Sequence, residues 1–278
     1  LERKFRVLCR LSPFLTAIFS NSPLHLGKPS GYKSFRSHIW QNTDGTRSGI
    51  PGAFIRKDFT IEDYIDWALL ASPYHLNRRG EIHELMDHSF RNLMDGSYPQ
   101  IKTDFEDWKD HLGMLFPEIR IKNIIEIRSI DTLNPEYVLA VPALLQALIY
   151  DETVFGKLES MMMDLPENEF PWYQQVAARD GLAGQVNQVN FSHFAKKLME
   201  MALESLTLSE GCRLALFFDR YTRHGLSPAD LVLERYYSAD ENPLKWIHKE
   251  LQSDEEKQSS FINFPCDVDE NPSSWISH

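Results

Sequence analysis

Apolar residues Phe5, Leu8, Leu11, Leu15, Ile18 and Phe19 recur at helical spacing over residues 1–20, which predicts a helix kinked or broken at Pro13. The periodicity then stops. Residues 21–57 hold Gly27, Gly31, Gly45, Gly49 and Gly52 with Pro23, Pro29 and Pro51, and read as a long loop system with one short strand around Phe35–Trp40. Helical spacing returns after Thr60, an N-cap with Asp63 three residues on, and carries a helix to about Leu70. Two further helices are predicted over His88–Met94 and Thr103–Leu112. The alternation in Ile119–Arg128 (IRIKNIIEIR) predicts one strand, with Ile121, Ile125 and Ile127 on one face and Lys122, Glu126 and Arg128 on the other. From Pro135 the pattern is helical almost throughout, with helices at Pro142–Tyr150, Glu152–Met163, Ser192–Ser205, Ser209–His224 and Ser227–Ser238, and Ser209 and Ser227 as N-caps. After about Gln252 the chain turns polar, and a disordered tail is expected over 253–278. The plan is α+β: a segment of loops and strand, then a helical one, without an internal repeat.

Composition narrows the partners. The 278 residues suffice for one large or two modest domains, at 42% hydrophobic and 25% charged, which is ordinary for a globular protein. A net charge of -11 gives no general attraction for nucleic acid or anionic lipid, so neither is expected as a partner. No apolar run approaches the ~20 residues that cross a bilayer. The three cysteines, Cys9, Cys212 and Cys266, form no C-x-x-C pair, which argues against a disulfide framework or structural zinc and suits a reducing cytoplasm. Cys212, in the apolar run CRLALFF, reads as a buried structural residue.

Two stretches could carry chemistry. The loop Asn21–Trp40 concentrates flexible and basic residues, and Lys28, Lys33, Arg36 and Arg47 could hold carboxylates or phosphates, or could equally be solvated surface charges. It is no P-loop, because Gly27-Lys28 is followed by proline without the needed upstream glycine. Glu126 and Arg128 project from one strand face, about 7 Å apart along it. That pairing suits Mg²⁺ on the carboxylate and phosphate on the guanidinium, or a plain surface ion pair. His83 and His88 (HELMDH) are one residue too far apart for the helical zinc-protease signature.

The order of these stretches carries a resemblance. The run FSNSPLHLGKPSGYKSFRSHIWQNTDGTRSGIP resembles the plant-type glutamate–cysteine ligases, also found in many bacteria. FPEIRIKNIIEIRSID is similar to that family's strand, an E-x-R unit followed by Asp, which also occurs in the distantly related glutamine synthetases. LAVPALLQALIYDE follows, as in the family, and the likeness runs from residue 1 to about 252.

The resemblance implies the C-terminal part of such an enzyme. Residues 1–131 would belong to a glutamine synthetase-like antiparallel-sheet catalytic domain, followed by a helical region over 132–252. It implies ATP-dependent ligation of the glutamate γ-carboxylate to the cysteine amine through a γ-glutamyl phosphate, the first step of glutathione synthesis, with ATP and Mg²⁺ as cofactors. By position, Glu126 would hold Mg²⁺ and Arg128 would contact the transferred phosphoryl group or the activated carboxylate. Arg36 would act beside it, forming with Asn21 and Trp40 the glutamate and nucleotide pocket, and Arg47 is a further candidate. The family's other metal-binding glutamates precede anything in this chain, so the chain alone is expected to be inactive. Leu85 and Gln100 stand where plant members carry regulatory cysteines, so that thiol switch is expected to be absent. The competing readings are a carboxylate–amine ligase with another amine, or an inactive fragment that survives as a folded binding module.

Overall fold

The computed structural model describes residues 1–78, 80–85, 88–96 and 102–238. It is mixed helix and small sheets, the α+β class expected, and divides into two compact units. One joins Leu1–Ser12 to Ile39–Ser129; the other joins Pro13–His38 to the chain from Ile130 onward. The expected tail over 253–278 and Gln100 lie outside the described residues.

Helix α1 (Glu2–Ile18) runs through Pro13 without a break. A two-residue hairpin follows, β1 (Leu24–His25) against β2 (Lys28–Pro29), with Leu26 and Gly27 both at positive φ in its turn. Gly27 takes that conformation freely, whereas Leu26, 88% exposed, takes it at a steric cost. Residues Phe35–Gln41 form a helix, α2, and not the short strand expected around Phe35–Trp40. Its start is set by Ser34, whose Oγ accepts the Ser37 N–H at 3.2 Å, a local cap that outweighs β propensity.

The unit holding Ile39–Ser129 continues with β3 (Ser48–Gly49), a 3-10 turn at Gly52–Ile55 and α3 (Ile61–Leu70). The Thr60–Asp63 capping box is present as expected, with the Thr60 N–H on Asp63 at 2.9 Å. Next come hairpin β4 (His75–Arg78)–β5 (Glu81–Glu84), α4 (Phe90–Met94) capped by Ser89, and α5 (Phe105–Gly113) capped by Asp104. His83 therefore sits on a strand, and no cluster of three metal-binding side chains occurs among the described residues. Leu85 packs with Leu76 and Leu93. An aromatic cluster forms the core of this unit, with Phe5 against Phe54, Phe59 and Tyr64 at ring-centroid distances of 5.2, 5.0 and 5.5 Å.

The predicted ten-residue strand is instead a hairpin. β6 (Phe116–Pro117) pairs in parallel with β3, and then β7 (Ile119–Ile121) turns at Lys122–Ile124 into antiparallel β8 (Ile125–Ile127). Asn123 is the signal that the alternation hid, since asparagine favours turns. The Tyr64 hydroxyl accepts the Ile121 N–H at 3.0 Å and donates to the Ile121 carbonyl at 3.1 Å, fixing the hairpin.

In the other unit, α6 (Ala140–Tyr150) and α7 (Glu152–Met163) match the expected helices within two residues. Helix α8 (Phe170–Asp180) was not foreseen, and the hairpin β9 (Gln185–Val186)–β10 (Val189–Asn190) leads from it into α9 (Phe191–Ser205). Helix α10 (Leu208–Arg220) is capped by a Thr207–Glu210 box, which displaces the expected cap at Ser209. Ser227 precedes α11 (Pro228–Ser238), its N–H and hydroxyl donating to Asp230 at 2.8 and 2.7 Å. Helix α6 packs against α7, α9 and α10. Cys212, on α10, is half-buried, which corrects its reading as a buried residue, whereas Cys9 is a buried free thiol. No helix among the described residues is long and apolar enough to cross a membrane.

Candidate functional site

The hairpin β7–β8 places Arg120 opposite Glu126. Arg120 Nε and Nη2 both donate to Glu126 Oε2, at 2.9 and 2.6 Å, while its Nη1 donates to the carbonyls of Gly113 and Leu115 at 3.1 and 3.0 Å. Glu126 Oε1 accepts from Arg128 Nη1 at 3.0 Å. The backbone of Arg128 continues the ladder, its N–H donating to the Glu118 carbonyl at 2.8 Å. Its guanidinium lies 5.6 Å from the ring centre of Trp40 and 5.4 Å from that of Phe116. Burial alone would raise the Glu126 carboxyl, but hydrogen bonds and charge from Arg120 and Arg128 hold it below the usual carboxylate range. The ion pair foreseen as an alternative is thus present, yet it is not fully solvated: the side chains of Arg120, Arg128 and Glu126 are 10, 18 and 34% exposed.

Arg128 therefore links Glu126 with Trp40, which the sequence reading groups with Arg36 and Asn21, and Arg120 joins them. Sequence reading missed Arg120 because a single strand would have put it on the Glu126 face but six residues, about 20 Å, away; the turn between β7 and β8 sets the two directly opposite. Arg47, in the same unit, is buried. Its Nε donates to Asp44 at 2.7 Å and its guanidinium lies 3.8 Å from the Tyr74 ring centre, while its carbonyl accepts the Phe116 N–H at 2.6 Å. Arg47 Nη1 is buried without a hydrogen-bond partner in the structure.

Asn21 and Arg36 belong to the other unit and gather around Asp131, which is 4% exposed. Asp131 Oδ2 accepts the Asn21 N–H at 2.9 Å and the Ser22 hydroxyl at 2.7 Å, and Oδ1 accepts the Ser34 hydroxyl at 2.9 Å. Arg36 Nη1 is 3.9 Å from Oδ1. The Asn21 side-chain amide donates to the Thr132 carbonyl at 2.8 Å, so this residue ties the loop to the chain after Asp131. Lys33 and Ser34 add backbone bonds, each N–H donating to the Ala178 carbonyl near the end of α8 at 2.9 Å, and Lys33 Nζ pairs with Asp230 at 2.5 Å. Gly181, at φ +58, lets Lys33 approach: a Cβ there would meet Lys33 Cγ at 3.1 Å.

The metal expected at Glu126 can be tested against its donors. A carboxylate offers about four acceptor positions, and three guanidinium N–H groups occupy this one. Oε1, with a single donor, retains a position for a cation. Glu126 fits as one ligand in an oxygen shell, not as a site by itself.

A guanidinium held by a half-buried carboxylate and backed by aromatic rings has the chemistry to meet an anionic group. The chain belongs to Glutamate-cysteine ligase family 2, whose family profile matches residues 2–257. It is 33% identical over 241 residues to the chloroplastic glutamate–cysteine ligase of Nicotiana tabacum, covering 84% of this chain and 46% of that protein. The corresponding enzyme of Solanum lycopersicum is 32% identical over 255 residues, 90% of this chain and 49% of that one. That of Arabidopsis thaliana is 31% identical over 240 residues, 84% and 46%. The chain thus spans about half the length of the curated relatives it matches.

Proposed function

We propose that the full-length protein carrying this chain joins the γ-carboxylate of glutamate to the amine of cysteine with ATP as the phosphoryl donor. The observation that carries this reading is the fixed guanidinium of Arg128, held on Glu126 in a family of glutamate–cysteine ligases. A carboxylate is a poor electrophile. In the proposed route its oxygen attacks the γ-phosphorus of ATP, ADP leaves, and a γ-glutamyl phosphate forms. The cysteine nitrogen then attacks the acyl carbon, the C–O bond to phosphate breaks, and the nitrogen loses a proton as the amide forms.

Arg128 would orient and neutralise the phosphoryl oxygens, and it can do so without reorganisation because Glu126 and the rings already hold it. Arg36 would face an anionic group of the substrate, with Asn21 in a supporting contact. Mg²⁺, where Glu126 Oε1 would hold it, would supply further charge neutralisation at the phosphates. We place the β7–β8 hairpin within a glutamine synthetase-like sheet as part of the same reading. The cytoplasm is the compartment this reading expects.

The test is ADP and phosphate release by the full-length protein with ATP, Mg²⁺, glutamate and a panel of amines. Release that requires both glutamate and cysteine supports the reading. Equal or faster release with another amine assigns the protein to a different carboxylate–amine ligation, and no glutamate-dependent release with any amine overturns it.

A further inference from the structure

Asp131 stands outside the groups just assigned, yet everything around it points to the first turn of α2. Ser22 Oγ donates to Asp131 at 2.7 Å and accepts the Arg36 N–H at 3.1 Å. Ser34 Oγ donates to the other carboxylate oxygen at 2.9 Å and accepts the Ser37 N–H at 3.2 Å. Each hydroxyl has one hydrogen. Because the carboxylate takes it, the oxygen lone pairs are left facing two amides at the helix start, which have no partner within the helix. The carboxylate thus acts through two serine relays, with the Asn21 N–H as a third donor to it. Its side chain is only 2% exposed, so water does not compete for these bonds.

We propose that Asp131 is a positioning residue for Arg36: by orienting Ser22 and Ser34 it fixes the backbone of Arg36 and Ser37, and so the direction in which the Arg36 guanidinium leaves the helix. The role assigned to Arg36 rests on the ligase reading above; the anchoring of α2 does not. Asparagine has nearly the shape of aspartate but replaces one acceptor by a donor, so at residue 131 it can satisfy at most one side of this network. The three donors that converge on Asp131 make that conflict unavoidable.

The experiment compares Asp131→Asn, Ser22→Ala and Ser34→Ala in the full-length protein by two readouts. The first is amide hydrogen exchange. Exchange at Arg36 should accelerate in Ser22→Ala, at Ser37 in Ser34→Ala, and at both in Asp131→Asn. The second is steady-state kinetics. The KM for glutamate should rise about tenfold in Asp131→Asn, the effect of losing one charge-assisted hydrogen bond, with kcat changed far less and a smaller KM rise in each serine variant. Asp131→Asn combined with Arg36→Ala should cost little more than Arg36→Ala alone. A residue that merely held the fold would lower melting temperature and active fraction and leave KM unmoved. Unchanged exchange at both amides, or an unchanged KM in an active enzyme, overturns the proposal. If Asp131→Asn does not fold, the two serine variants decide by the same criteria. Altered exchange in a protein without glutamate-dependent ADP release would sustain the anchor and sink the ligase reading.

Discussion

Arg120 and Glu126 face each other across the β7–β8 hairpin, and Arg120 sets two nitrogens on one carboxylate oxygen, at 2.9 and 2.6 Å. The other oxygen is thereby left to Arg128. This order gives Arg120 a role that the E-x-R motif does not name: it fixes the residue that fixes Arg128.

Glu126→Gln should therefore abolish glutamate-dependent ADP formation in the full-length protein while leaving it folded. A neutral amide cannot accept from both guanidinium groups, and its NH₂ opposes one of them. Arg120→Ala should reduce kcat less, because Glu126 and Arg128 still pair. Wild-type turnover in Glu126→Gln at ordinary Mg²⁺ would leave this cluster as a structural ion pair.

Arg36→Ala should raise the glutamate KM or remove activity, and Arg36→Lys should rescue only in part, since lysine lacks the planar fork. Steady-state kinetics of both variants check this. Unchanged kinetics in both would make the loop arginine a surface charge.

Much of the fold was legible where one local rule dominated. The Thr60–Asp63 box and helices α6 and α7 follow from caps and 3.6-residue spacing. The errors arose where two rules competed. Alternating isoleucines hid the turn at Asn123, so a hairpin was read as one strand and the partnership of Arg120 with Glu126 went unseen. A short strand was expected around Phe35–Trp40 within a glycine- and proline-rich loop, whereas the Ser34 cap makes a helix there. Glu126 and Arg128 were named from the motif and do pair, and Arg128 lies near Trp40, which had been grouped with Arg36 and Asn21 instead. Asp131 closes the E-x-R motif in the sequence, but its role could not be read there, because its partners Asn21, Ser22 and Ser34 lie about a hundred residues away and only tertiary folding joins them.

Asp107 is a second buried carboxylate with a measurable consequence. It accepts both Arg78 guanidinium nitrogens, at 2.5 and 2.7 Å, and the Asp104 N–H at 2.8 Å. Burial alone would raise its carboxyl, but these bonds hold it below the usual range. A depressed carboxylate contributes stability above its unfolded pKa, near 4, that is lost as pH falls through the folded value. Asp107→Asn should lower unfolding free energy by about 2 kcal/mol at pH 7 and flatten the loss of stability on the acid side. Urea titrations across pH check both, and an unaltered acid limb would refute the assignment.

His111 should act with the same sign at higher pH. It is fully buried, stacked on Phe90 at 4.6 Å, and Nε2 lies 2.7 Å from the Ala68 carbonyl, which requires the Nε2–H tautomer. Burial pushes its pKa down. The unfolded state takes up a proton near pH 6.5 and the folded state does not, so stability falls as pH drops below that value. Substitution by glutamine should lower stability at pH 8 and remove this slope between about pH 6.5 and 5. Thermal melts over that range measure it, and an unchanged slope would show that His111 titrates freely.

The most direct test of the account is the rate of ADP formation by full-length Arg128→Ala with saturating glutamate, cysteine and ATP. If Arg128 neutralises charge on the transferring phosphoryl group, kcat should fall by about 10²–10³, the effect of removing one fixed donor at a developing charge, while thermal stability stays near wild type. A kcat equal to the wild-type value would contradict the account and leave the Glu126–Arg128 pair a fixture of the hairpin alone.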